Sequence, residues 1–95
     1  MERQDLPPGL VLARTTPEFT AETVPNGLLS AHKVADEVWG LLRVNAGTVE
    51  FVVEDREGSG ARRLMQAADT QVIEPGVLHH VEPSADARFV VEFHR

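Results

Sequence analysis

Cysteine is absent from the 95-residue chain. That absence removes a disulfide scaffold, a thiolate zinc finger, an iron–sulfur site and a cysteine nucleophile together. A domain of this size without such staples folds on its core alone, or with help from a metal or a second subunit. Positive charge is also scarce. Nine lysines and arginines face fifteen acids, for a net charge of −6. The longest basic run is Arg62-Arg63, so the counterion-releasing stripe of a nucleic-acid surface is missing. Uncharged apolar stretches such as 38–42 are far below the ~20 residues of a membrane-spanning helix. The opening residues Met1-Glu2-Arg3-Gln4-Asp5 are charged and lead into no apolar segment, unlike a secretory signal. These absences predict a soluble, cytoplasmic protein with no nucleic-acid or membrane partner.

What is present is ordinary globular material. Apolar residues make up 42% of the chain and charged residues 25%, which argues against a disordered or low-complexity chain. The length suits one domain over 1–95. Turn signals recur at short intervals: Pro7-Pro8-Gly9, Thr15-Thr16-Pro17, Pro25-Asn26-Gly27, Gly58-Ser59-Gly60, Pro75-Gly76 and Pro83-Ser84. The pieces between them are strand-sized. In 48–54, Val49, Phe51 and Val53 fall on one face, with Glu50, Val52 and Glu54 on the other. In 88–94, Phe89, Val91 and Phe93 fall together. Period-two alternation with β-branched and aromatic residues is the strand signature. The full reading places strands near 10–14, 28–34, 37–45, 48–54, 61–67, 71–74, 78–82 and 87–94, hence an all-β sandwich or barrel. The segment 61–68 has helical propensity, but its place among strands favours a strand. Around 21–23 there is room for a helical turn.

Without cysteine, a transition-metal site must use imidazole and carboxylate. The histidines are His32, His79, His80 and His94. Taken singly, each is more often a packed or surface side chain than a ligand. His79 and His80 are neighbours, so on a strand they point to opposite faces and do not share an ion. His79 shares its face with Val81 and reads as interior; His80 shares its face with Glu82 and reads as exterior. His94 lies at a terminus, where side chains are loosely held. His32 follows Leu28-Leu29-Ser30-Ala31 and reads either as inward-pointing or as an exposed loop residue. Acids near it are Asp36 and Glu37, with Glu92 on the last strand. Gly58-Ser59-Gly60 is followed by no Gly-Lys-Ser/Thr, so it is no phosphate loop. No Gly-x-Ser-x-Gly elbow supports a hydrolase.

Pro75-Gly76-Val77-Leu78-His79 resembles the second cupin motif, in which a proline–glycine turn delivers a histidine into a barrel. The first cupin motif departs from the usual pattern. Its turn is Ala46-Gly47, but the His-x-His pair is missing and the usual glutamate position holds Gly40. This departure is similar to that of small cupins of the TehB/YeaR type, the domain found with some tellurite-resistance proteins. The similarity runs through Leu6-Pro7, Arg14-Thr15-Thr16-Pro17, Val24-Pro25-Asn26-Gly27-Leu28, His32, Val38-Trp39-Gly40, Val44 and Gly47. It continues through Ile73-Glu74-Pro75, His79-His80-Val81-Glu82-Pro83 and Arg88-Phe89-Val90-Val91-Glu92-Phe93. The resemblance implies a double-stranded β-helix barrel of two antiparallel sheets, with His32 and His79 at the family's histidine positions. The penultimate residue, commonly tyrosine in that pattern, is His94 here.

The first expectation is therefore a metal-binding small cupin. His32 and His79 hold a divalent ion (zinc, iron or manganese), with Glu37 as third ligand and positions open for water or a small molecule. The rival expectation is a metal-free module that binds or senses a small molecule or oxyanion; a third is a structural remnant whose histidines only hydrogen-bond inside the barrel. Larger relatives join such a domain to an S-adenosylmethionine methyltransferase. This chain has neither the length nor a glycine-rich nucleotide loop for one. A barrel this small, with sheet edges to cover, is also expected to form a homodimer.

Overall fold

Alternating burial carries most of the architecture. The computed structural model describes residues 5–29, 37–54 and 60–95. Along these run β1 (Leu12–Thr15), β2 (Phe19–Thr20), a 3-10 turn (Asn26–Leu28), β3 (Trp39–Ala46), β4 (Thr48–Val53), β5 (Arg62–Gln66), β6 (Thr70–Ile73), β7 (His79–Pro83) and β8 (Arg88–His94). There is no α-helix among the described residues, and none long and apolar enough to cross a membrane. The strands form two antiparallel sheets. The larger has the order β1-β8-β3-β6, with β2 also on β8; the smaller has the order β5-β4-β7. The two sheets are hydrogen-bonded separately and meet face to face as a sandwich.

The core lies between them. Leu42, Val44 and Phe89 from the large sheet meet Val49, Phe51 and Met65 from the small one, all nearly or fully sealed from solvent. Burying each side chain of this kind contributes roughly 1.5–3 kcal/mol. Phe19 of β2 packs edge-on against Phe89, with ring centroids 5.8 Å apart, which gives the shortest strand a reason to exist. The sheets are joined by a tight corner. Gly47 links β3 to β4 with φ 66°, and a Cβ there would stand 2.7 Å from Asp86 Oδ1 and 2.8 Å from the Ala87 backbone. Only glycine tolerates both the left-handed backbone and that approach.

Seven of the expected strands appear with boundaries shifted by a residue or two. The ambiguous 61–68 segment is strand β5. There Leu64 is exposed and Met65 is fully buried, so the ladder with β4 overrides helical propensity. The expected strand at 28–34 is not met at its start, because Leu28 closes the 3-10 turn and Leu29 caps it. Residues 30–34 lie outside the described residues. The two-residue β2 is not among the expected strands; it exists only through its pairing with β8.

Candidate functional site

The inner face of the small sheet carries an imidazole, and a turn aims it. Glu74-Pro75-Gly76-Val77 has proline where φ must be near −65° and glycine at φ 76°, the arrangement a type II turn requires. The Val77 N–H points back to Glu74 O at 3.4 Å. β7 begins two residues later, with His79 opposite Val53 and Val81 opposite Phe51. His79 is 1% exposed, and its ring lies 5.4 Å from that of Phe51 at an interplanar angle of 30°. His79 Nδ1 sits 2.9 Å from Val77 O. A carbonyl can only accept, so Nδ1 carries the proton and donates it. A backbone carbonyl thus orients the ring, as it commonly does for metal-ligating histidines.

His80 takes the outer face, opposite Val52. Nδ1 is 3.1 Å from Glu54 Oε2 and Nε2 is 2.7 Å from Glu82 Oε2. The hydrogen bond to Glu82 raises its pKa, partial burial opposes this, and Glu54 adds to the rise. Glu82 is held below its ordinary range by hydrogen bonds from His80 and then Arg62. Arg62 also pairs with Glu50, so five side chains form one charged network on this face.

Of the expected ligands, His79 and Glu37 are among the described residues. His79 is interior, as its face-sharing with Val81 predicts. Glu37 is exposed, and its φ of 69° places it in a left-handed turn before β3. His32 lies outside the described residues. His94 Nε2 stands 3.2 Å from Glu92 Oε1, and Glu92 also accepts from Arg43 at 3.2 Å. Among the described residues no group of three or more histidine, cysteine, aspartate or glutamate side chains could hold a metal ion. The 3-10 turn packs against β7, the strand that carries His79.

Sequence reasoning put Glu82 on the face of the outer histidine, since i and i+2 share a strand face. It missed Glu54, because the β4–β7 register is a tertiary fact.

Two antiparallel sheets around an apolar interior, with a histidine delivered by a Pro-Gly turn, make a cupin-like β-sandwich. The chain belongs to the TehB-like domain family, whose model matches residues 14–91. Among solved structures, a protein from E. coli strain K12 superposes with a TM-score of 0.86 at 23% identity, over 96% of this chain and 95% of that one. TehB from Haemophilus influenzae superposes with a TM-score of 0.82 at 24% identity, over 90% of this chain but only 31% of TehB. The FeII form of HppE matches more distantly, with a TM-score of 0.58 at 15% identity over 68% of this chain and 34% of that one. At these identities the likeness shows the fold. A comparison with curated proteins finds no match.

Proposed function

We propose that this TehB-like domain binds a divalent transition metal (zinc, iron or manganese) inside the sandwich, through His79 and His32. The observation that carries the reading is the buried His79 ring, whose Nδ1–H is committed to Val77 O. His32 is three residues beyond Leu29, a span of about 10 Å of extended chain, and the preceding 3-10 turn packs against β7. Glu37 is the candidate third ligand. HppE in its FeII form is a precedent for iron in a related fold. The test is elemental analysis of untagged protein. About one metal per chain is expected, lost in His79→Ala and in His32→Ala and kept in His80→Ala. Imidazole must be neutral to ligate, so affinity falls as pH drops through about 6.5.

The second reading is a metal-free module that binds a small molecule or oxyanion. Metal-free protein that carries a small molecule through purification decides for it. Under either reading the domain works in the cytoplasm as a homodimer. Exposed Val11 and Leu12 at edge strand β1 support association. Light scattering at the 10.4 kDa monomer mass at micromolar protein overturns it.

A further inference from the structure

Arg43, Arg62 and Arg88 each pair with a glutamate; Arg63 pairs with none among the described residues. Arg63 lies opposite Phe51 on β5. Phe51 is a core residue, so Arg63 is on the inner face of the small sheet, at its edge. Its partly buried guanidinium crosses to β6 of the other sheet, where Nη1 donates to Thr70 O at 2.7 Å and to Gln71 Oε1 at 2.9 Å. The Gln71 side chain is itself fixed. The residue is 3% exposed, and its Nε2 donates to Val72 O at 2.9 Å, which turns Oε1 toward Arg63.

Both hydrogens of Nη1 are thereby used on neutral acceptors. The guanidinium is planar, so anchoring Nη1 also sets the direction of the Nε–Nη2 edge. That edge is a two-donor fork matching two oxygens of a carboxylate or phosphoryl group. The chain has fifteen acids, yet none among the described residues pairs with this cation. A partly buried positive charge with neutral neighbours favours an anion from solution, because attraction strengthens as the dielectric falls.

We propose that Arg63 is the anion-recognition residue of this domain. It takes the two-oxygen face of a small oxyanion through Nε and Nη2, while Gln71 acts as the positioning residue. The proposal rests on the reading that the domain binds a small molecule, and it gives that molecule a chemical class. It does not need the metal, since Arg63 reaches β6 from the far side of β4 relative to His79.

The test follows the Arg63 Nε–H resonance of the ¹⁵N-labelled chain during titration with inorganic phosphate and, separately, acetate. Chloride holds the ionic strength constant. A saturable shift is expected, with a Kd of about 1 mM. Saturation with phosphate alone assigns a phosphoryl ligand, with acetate alone a carboxylate, and with both a general oxyanion site. Arg63→Lys, followed at the backbone amides of residues 63 and 71 as the unaltered protein also is, keeps the charge but lacks the fork, and should weaken binding about tenfold, the loss of roughly one hydrogen bond to a charged group. His80→Ala, on the outer face of the sheet, should keep the shift; its loss there would move the anion to the outer face and overturn the proposal. A non-saturating shift in the unaltered protein also overturns it, whatever the variants do, and leaves Arg63 as a staple between the sheets.

Discussion

The two faces of the three-stranded sheet are made by the same three strands and have opposite chemistry. The inner face carries Val49, Phe51, Met65, His79 and Val81, all nearly or fully buried. The outer face carries Glu50, Glu54, Arg62, His80 and Glu82, joined by ion pairs. His79 and His80 are adjacent, yet the face decides what each imidazole is for. A backbone carbonyl orients the inner ring through its Nδ1–H. Two carboxylates favour the doubly protonated form of the outer ring. The inner ring is held by a neutral acceptor, the outer ring by charged ones.

The contrast is broken most severely by moving charge across the sheet. Met65→Lys would place an ammonium where exposure is nil, among apolar side chains of the core. The cost of several kcal/mol compares with the whole stability of a domain this size, about 5–15 kcal/mol. Circular dichroism should show an unfolded or concentration-dependent chain. Phe51→Ala removes the ring that packs against His79. It should cost about 3–5 kcal/mol, read as a lower urea midpoint with an unchanged slope.

The outer face is sharpened by pH. His80 has a raised pKa, so its contribution is complete below its unfolded value of 6.5 and is lost as pH rises through the folded value. Glu82 is shifted down. Its contribution is present above its unfolded value of 4.5 and is lost as pH falls through the lower folded one. The network therefore stabilises most between these limits. The melting temperature of His80→Ala should fall furthest below that of the unaltered protein near pH 5.5, with the gap closing above pH 7. The effect is small, about 2 °C, because exposed ion pairs are screened. Smallest of all is Leu64→Lys. Its side chain is 58% exposed, next to the position where the same change unfolds the chain, and the shift should stay within about 0.5 kcal/mol.

This division is partly legible in the sequence. Alternation in 48–54 and 88–94 names Val49, Phe51, Phe89 and Val91, though Val52 is buried on the other face and Val53 and Phe93 only partly so, and Val81 two positions from His79 names the inward histidine, because strand periodicity is a local property. Leu64 and Met65 are not separable by propensity; their faces follow from the ladder with β4. The outer network is illegible for the same reason, since Glu54 and Arg62 reach His80 and Glu82 only through strand register. Glu37 enters as a candidate through its nearness in sequence to His32. Its left-handed backbone is not readable, since glutamate rarely adopts it. Arg63 reads only as half of a basic pair, and nothing local indicates that its neighbour takes the glutamates.

β8 pairs with β1, β2 and β3 at once, joining Leu12 to His94 and Trp39 to the same residue. The middle of the large sheet is thus the last of the described strands to be synthesised. Until residues 88–94 emerge, β3 has only β6 to pair with, and the apolar row of Leu42 and Val44 waits uncovered beside it. Contacts of such long sequence separation fold slowly, so the nascent chain passes through a sticky, half-built stage. Its yield in the cell then depends on chaperone supply and synthesis rate as well as on final stability.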